Sequence, residues 1–229
     1  MSEPLPIILA TPRFVVVDKP AGVLSVPGIG PEKQDSVISR VKEMFPAATG
    51  PMMVHRLDMD TSGLLVVALE PASQKHLSRQ FEKRHVGKRY EAIVADTWEA
   101  PDEGTISLPL RLDVDRRPYQ IVDFVQGRSA VTQYQRIGPA SGGFRVEFKP
   151  VTGRTHQLRV HAATPHLGFL GDPTRPADLS AGGLGAPILG DPLYGERGHH
   201  SRLMLHASEM TFEDPETGES IRVSAPVPF

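Results

Sequence analysis

Residues 130–148 contain the pattern that most restricts the fold of this 229-residue chain. Side chains alternate with a period of two on both sides of the turn Gly138-Pro139-Ala140-Ser141-Gly142-Gly143. Alternation of this kind is typical of half-buried strands, and a Gly/Pro-rich turn between two such segments predicts an antiparallel hairpin. The second half of the chain is therefore expected to be rich in antiparallel sheet.

Helices are predicted in only three places. One follows the capping residues Asp35-Ser36, one begins at Pro71, and a short one covers about Thr155 to Ala163, capped by Thr152 or Thr155. Further strands are predicted at Arg13–Val17, Leu64–Leu69, Lys88–Ala95, Leu203–Ala207, Met210–Phe212 and Ile221–Val223. Strands dominate without regular β-α alternation, which predicts an α+β fold with a mixed, mainly antiparallel sheet. No shift in composition divides the chain, so a single domain over residues 1–229 is expected.

The composition excludes several classes of chemistry. The chain has no cysteine, which rules out disulfides, thiolate zinc sites, iron–sulfur clusters and cysteine nucleophiles. The amino terminus, MSEPLPIILATP, has no basic start, and prolines interrupt its short apolar run. We therefore expect neither a signal peptide nor a membrane anchor, and a cytoplasmic protein.

The charge distribution is uneven. A net charge of −2 argues mildly against a nucleic-acid-binding protein. Locally, however, Glu82 alone stands against Lys75, Arg79, Lys83, Arg84, Lys88 and Arg89, and a second basic cluster contains Arg111, Arg116 and Arg117. One hypothesis assigns the helix from Lys75 to Arg84 and these arginines to contact with a nucleic-acid backbone. The alternative is an ordinary solvated helix face.

The segment His55 to Gly63, HRLDMDTSG, places two carboxylates, an arginine, a histidine and two hydroxyls next to an apolar strand. Catalytic groups are often found on such loops. The alternative is a polar turn in which Asp60 and Thr61 bond to their own backbone. A metal site with His55 and Asp58 as ligands is a weaker interpretation, because no helical pair of histidines accompanies it.

A second dense segment, GRTHQLRVH, covers residues 153–161. His156 and His161 are five residues apart and so lie on different helical faces, which argues against a shared metal ion. Both are expected to be hydrogen-bonded structural histidines. Upstream, GKRY places Tyr90 at the start of a strand after the basic helix.

These segments carry a resemblance to a known family. HRLDMDTSGLL, GKRYEAIV and GRTHQLRVHA, in this order, resemble the signature blocks of the RluA-type pseudouridine synthases. The resemblance continues in VVVDKPAGVLSVPG, LPLRLDVDRRPYQ, ILGDPLYG and LMLHA, from about Phe14 to about Pro226. The LSVPG and RRPYQ segments resemble the short RluA branch, and the chain has no room for the S4-type RNA-binding module of longer relatives.

The resemblance implies a fold with two lobes and a central cleft, and an enzyme that detaches a uracil, rotates it and rejoins it to ribose through carbon. It implies no metal and no cofactor. By motif position, Asp58 is the catalytic aspartate, Arg159 the arginine that pairs with it, and Tyr90 the tyrosine packed against the target base. Arg56 matches the side chain that fills the gap left in the RNA. Whether Asp58 attacks the sugar or assists glycal formation stays open.

The expected partner is RNA, in a large-subunit rRNA stem-loop, a tRNA anticodon stem-loop or both, bound by a monomer that has no contact with membranes. Lys83, Arg84, Arg116 and Arg117 are the predicted backbone contacts. Two alternatives are an inactive RNA-binding protein with the same fold and a metal-dependent or glycosidase-like hydrolase. Phe169–Ala186 departs from the family pattern and is interpreted as a local duplication or a surface insertion.

Overall fold

The structure, a computed structural model, describes residues 4–98, 100–166, 182–195 and 200–229. The chain divides into two compact units. The first contains Met1–Arg89 and His206–Phe229, and the second contains Tyr90–Leu205. Among the described residues, no helix is long and apolar enough to cross a membrane.

Strands outnumber helices in the described residues. The strands are β1 (Ile7–Ala10), β2 (Phe14–Lys19), β3 (Ser62–Ala68), β4 (Gly87–Ala95), β5 (Glu103–Ser107), β6 (Leu110–Leu112), β7 (Gln120–Val122), β8 (Val131–Ala140), β9 (Gly143–Pro150), β10 (Leu205–Glu213) and β11 (Ser220–Ser224). The helices are α1 (Val37–Met44), α2 (Pro71–Glu82) and α3 (Gln157–Ala163), with a short 3₁₀ turn at Pro31–Lys33. The predicted α+β class with a mixed, mainly antiparallel sheet is confirmed.

In the first unit, β2 lies between β1 and β3 and is antiparallel to both. Strand β3 is parallel to β10, and β10 is antiparallel to β11. Every residue of β3 is buried, which explains why its sequence is a continuous apolar run without alternation. Leu77 of α2 packs in the core of this unit with Phe14, Leu64 and Phe212.

The parallel pair depends on one glycine. Gly63, the second residue of β3, faces Ala207 of β10 and has a φ of 110°. A Cβ atom at this position would lie 2.4 Å from the carbonyl oxygen of Ala207. Both the positive φ and the close approach of the two backbones require glycine. The segment that carries Asp58 leads directly into β3, so this contact also fixes where that segment ends.

In the second unit, β9 lies between β4 and β8, and β8 also pairs with β5, all antiparallel. Strands β8 and β9 are the hairpin predicted from the alternating pattern. A separate hairpin consists of β6 and β7. Leu158 of α3 packs in the core of this unit with Phe148 and Leu184.

Local sequence signals predict the first two helices correctly. The Oγ of Ser36 accepts the N–H of Ser39 at 3.2 Å and caps α1, and Pro71 is the first residue of α2. Helix α3 begins later than predicted. Its cap is His156, in the left-handed conformation with φ 53°, and not Thr152 or Thr155.

Three other expectations were wrong in detail. The two predicted strands at 203–207 and 210–212 are one continuous strand, β10. The apolar residues from Val23 to Val26 also predict a short extended segment, but only Leu24 there forms an isolated bridge, to Ser36. The described end of the predicted surface insertion is not on the surface, because Leu184 and Ala186 are fully buried. Most of that insertion lies outside the described residues.

Candidate active site

Asp58 lies in an irregular segment, residues 54–61, that precedes β3 in the first unit. Asp58 itself is partly buried, whereas Arg56 is exposed. Leu57 is buried, and the backbone N–H of Thr61 donates to the carbonyl of Asp58 at 3.2 Å. The carboxylate is thus carried by a turn that is anchored on both sides by buried residues.

The segment from Lys19 to Ser25 braces this turn. The Oγ of Ser25 donates to the carbonyl of Leu57 at 2.7 Å and accepts the N–H of Leu57 at 3.0 Å. Lys19 is fully buried, and its ammonium donates to the carbonyls of Met59, Pro20 and Val23 at 2.8, 2.9 and 2.7 Å. Both neighbours of Asp58 in the chain are therefore held by hydrogen bonds to the block DKPAGVLS.

The resemblance implies that Asp58 is the reacting group of a uridine isomerisation. On that expectation, Lys19→Met should slow the reaction by about ten- to a hundredfold, because small displacements of a reacting group have effects of this size. The methionine side chain has a similar length but cannot donate to the carbonyl of Met59. The measurement is the single-turnover rate on a stem-loop RNA, at a temperature where both proteins are fully folded. Lys42→Met, at an exposed position on α1, is the control and should keep the wild-type rate. A folded Lys19→Met protein with an unchanged rate would show that the brace does not position Asp58.

His55 anchors the start of the loop. Its Nε2 accepts the N–H of Val66 in β3 at 3.0 Å, and its ring stacks on Phe81 of α2 at 4.2 Å. Burial, helped by the positive charge of Lys88, lowers the pKa of His55 to about 3. The neutral ring uses the lone pair of Nε2 to bind the backbone. This contact argues against the interpretation in which His55 and Asp58 share a metal ion, since that lone pair would have to bind the metal.

Arg159 lies on α3 in the second unit and is almost completely buried. Its Nε and Nη2 donate to the two carboxylate oxygens of Asp191 at 2.8 and 2.6 Å. Asp191 has no exposed surface and also accepts the N–H groups of Leu193 and Tyr194 at 2.9 and 3.1 Å. The ion pair is therefore bidentate, and it fixes the orientation of the guanidinium plane.

Tyr194 connects this ion pair to the hairpin of β6 and β7. Its ring lies 5.4 Å from the guanidinium carbon of Arg159. Its hydroxyl accepts the N–H of Gln120 in β7 at 2.7 Å and lies 2.8 Å from Nδ1 of His156. We did not predict Asp191 or Tyr194 as site residues, although both belong to the ILGDPLYG block that carries the resemblance.

Helix α3 is held in the second unit by a chain of side-chain hydrogen bonds. The amide of Gln157 donates to the hydroxyl of Thr132 at 2.9 Å, and that oxygen lies 3.0 Å from Nδ1 of His161. Nε2 of His161 lies 3.3 Å from the carbonyl of Leu108, which can only accept, so this nitrogen carries the proton. Burial lowers the pKa of His161 to about 4, and the prediction of a hydrogen-bonded structural histidine holds for the geometry around this residue.

The lowered pKa of His161 makes stability depend on pH. In the unfolded chain the imidazole has a pKa near 6.5, so it is protonated as the pH falls below about 6.5. In the folded state the same group is protonated only near pH 4, so the unfolded state is favoured between these two pH values. We expect His161 to reduce the free energy of unfolding by about 3 kcal/mol across this window. Urea unfolding at pH 7 and pH 4.5 should show a smaller loss for His161→Gln than for the wild type. If that variant does not fold, NMR titration of the His161 ring replaces it, and a midpoint near 6.5 would contradict the expectation.

Tyr90 lies in β4, directly opposite Phe148 of β9. It is partly buried and packs against the core of the second unit. Of the four predicted RNA-contact residues, Lys83 and Arg84 follow the end of α2, and Arg116 and Arg117 lie between β6 and β7; all four are exposed.

Ion pairs balance part of the charge of the second basic cluster. Arg116 forms an ion pair with Asp113 at 2.8 Å, and Arg111 forms one with Asp123 at 2.6 Å. The N–H of Gln126 and the guanidinium of Arg111 together hold the pKa of Asp123 at about 2. Part of the positive charge of the second cluster is thus matched by carboxylates beside it.

Comparison with known proteins agrees with the motifs. A family model described as RNA pseudouridylate synthase matches residues 13–164. A dual-specificity RNA pseudouridine synthase RluA from Yersinia pestis is 42% identical over 223 aligned positions, gaps included, and the alignment covers 95% of this chain and 96% of that protein. The protein of the same name from Escherichia coli strain K12 is 40% identical over 231 aligned positions, gaps included, and the alignment covers 98% of this chain and 94% of the relative. The solved structure of human RNA pseudouridylate synthase domain containing 1 superposes with a TM-score of 0.73 at 29% identity, covering 98% of this chain and 84% of that one.

The fold and these matches define an enzyme that isomerises uridine in RNA. The chain belongs to the RNA pseudouridylate synthase family, and it is similar to the RluA enzymes over nearly their whole length. The predicted family and enzyme class are therefore confirmed.

Proposed function

We propose that this chain converts uridine to pseudouridine in stem-loops of both rRNA and tRNA, with Asp58 as the catalytic carboxylate. The observation that carries the assignment of Asp58 is the brace around its loop, in which Lys19 and Ser25 hold the residues before and after it. The relatives from Yersinia pestis and Escherichia coli have a name that states two specificities, and this supports two classes of RNA.

In this proposal Asp58 reacts as a carboxylate while the bond from N1 of uracil to C1′ of ribose breaks. The detached uracil rotates and a bond from its C5 to C1′ forms. The proton of C5 is released to solvent, and N1 takes up a proton from solvent, so the product is an isomer of the substrate. Arg159 favours the ionised form of Asp58, and Tyr90 provides a flat surface for the uracil. Isomerisation consumes no second substrate, and the proposed reaction uses no cofactor.

Arg56 is proposed to stabilise the RNA from which the target nucleotide has been extruded. Extrusion of a stacked base costs a few kcal/mol. The exposed guanidinium of Arg56 is flat and has five donors, so it can stack and bond where the base has left. We further propose that the protein acts in the cytoplasm as a monomer, and that Lys83, Arg84, Arg116 and Arg117 contact the RNA backbone.

Tritium release tests the proposal directly. An rRNA stem-loop and a tRNA anticodon stem-loop carrying tritium at C5 of uracil should both lose label to water, in amounts that match the pseudouridine formed. Mapping of pseudouridines in cells with and without the gene then identifies the positions. Release from one RNA class alone would contradict dual specificity, and binding of both RNAs without release would favour an inactive RNA-binding protein.

A further inference from the structure

The first unit has a surface pocket, of about 320 Å³, at the end of helix α2. It is lined by His76, Arg79, Gln80, Lys83, His85 and Glu213. Four of these six side chains are basic or imidazole groups. The sequence-based hypothesis treated the whole helix from Lys75 to Arg84 as one basic face, whereas the structure places Lys83 in the pocket lining and Arg84 outside it.

The basic side chains of this pocket are not neutralised by ion pairs within the described part of the chain. Among the described residues, Arg79, Lys83 and His85 form neither an ion pair nor a side-chain hydrogen bond. Arg111 and Arg159, by contrast, are each paired with a carboxylate within 2.8 Å. A concentration of unmatched positive charge in a concave surface favours an anion as the occupant.

Hydrogen bonds of Gln80, one of the lining residues, fix which nitrogen of His76 carries its proton. Gln80 is buried, and its amide both accepts the N–H of Glu213 and donates to the carbonyl of Glu213, each at 2.8 Å. This pair of bonds orients the amide, so the NH₂ group also faces Nδ1 of His76 at 3.1 Å and donates to it. The proton of a neutral His76 therefore lies on Nε2, which leaves that ring a hydrogen-bond donor even without a positive charge.

Two features oppose an anion here, and they are weaker. The acidic residue Glu213 is part of the lining, and the carbonyl end of α2 carries a partial negative charge of about half a unit. Arg79 and Lys83 together supply two full positive charges, and His76 and His85 add two donors. The same basic residues complement the helix end, so the alternative is that they only stabilise α2.

We propose that this pocket binds a backbone phosphate of the RNA substrate, at a nucleotide other than the target uridine. His76, Arg79, Lys83 and His85 supply the donors, and Gln80 orients His76. The inference rests on the proposed function, since it takes RNA as the ligand. It assigns new roles to His76, Arg79 and His85, and it excludes Arg84 from this contact.

The test compares charge-neutralising variants inside and outside the pocket. Arg79→Gln and Lys83→Gln should each weaken binding of a stem-loop RNA by about five- to twentyfold at low salt, and each should reduce the slope of log affinity against log salt by about one. Lys75→Gln removes the same charge from the same helix outside the pocket. It should change the affinity less than twofold. Fluorescence anisotropy with the full chain gives all three values.

Equal losses of RNA affinity for Lys75→Gln and Lys83→Gln would overturn the proposal. They would show that the RNA responds to the total positive charge of the helix and not to the pocket. A second probe is dimethyl phosphate, titrated while the ring signals of His76 and His85 are followed by NMR. Saturating shifts confined to these two rings support the site, and their absence overturns it. Tritium release by the wild type is measured in parallel. The pocket variants could lose RNA affinity as expected while the wild type releases no tritium. That result would reject the proposed function but support the phosphate site.

Discussion

Asp58→Asn is expected to abolish uridine isomerisation while leaving folding and RNA binding close to wild type. In the proposed mechanism the reaction requires the negative charge of Asp58. The change removes that charge but hardly alters the volume of the side chain. The brace from Lys19 and Ser25 binds backbone atoms of Leu57 and Met59, so it survives the substitution. Tritium release over hours, with thermal unfolding and RNA affinity measured on the same sample, checks the prediction.

The matched control is Asp60→Asn, two residues further along the same loop. It removes an equal charge from a partly buried position and should keep most of the rate. Appreciable turnover by a well-folded Asp58→Asn protein would refute the assignment of the catalytic carboxylate. Equal inactivation by both variants would indicate that the loop needs its total charge and not one particular group.

Arg159→Ala is expected to destabilise the second unit by about 3–5 kcal/mol, in addition to any effect on the reaction. The reason is Asp191, which has no exposed surface and would be left buried without its ion-pair partner. Urea unfolding measures the loss. The control is Arg222→Ala, which breaks an ion pair of similar length, 2.6 Å to Glu209, at the protein surface and should have little effect on stability.

A double variant separates stability from catalysis. Arg159→Leu combined with Asp191→Leu removes both charges and should recover much of the lost stability, because the buried carboxylate is gone. The double variant should nevertheless stay inactive, since the guanidinium is absent. A stable double variant with wild-type turnover would show that Arg159 is structural only. A single variant as stable as wild type would show that the ion pair with Asp191 contributes nothing.

Local features of the fold were predictable because their causes are local. Ser36 and Pro71 mark helix starts through neighbouring backbone groups, and the alternating residues of β8 and β9 mark a hairpin within one short segment. The parallel pairing of β3 with β10 was not predictable in this way, since it joins Gly63 to Ala207. No periodicity in either strand specifies a partner so distant in the chain.

In the candidate site, too, residues in local motifs were predictable and contacts between distant residues were not. Asp58, Tyr90 and Arg159 were selected by the resemblance of short motifs, and their roles remain predictions. The partner of Arg159 in its own unit, Asp191, lies 32 residues away and was missed. Asp191 belongs to the ILGDPLYG block, but the sequence does not indicate that Arg159 is buried. Burial of Arg159 is what requires a carboxylate beside it. The start of α3 was also missed, because the left-handed conformation of His156 has no local sequence signal.

The contact between Gly63 and Ala207 has a consequence for synthesis on the ribosome. Strand β3 receives β10 as a neighbour only after most of the chain has been translated, since their paired residues are 144 positions apart. Until then the strand that follows the Asp58 loop has one open edge, and such edges are prone to wrong pairing. The Asp58 loop therefore reaches its final position only when β10 has emerged and paired with β3. A nascent chain should remain inactive until that strand has left the exit tunnel.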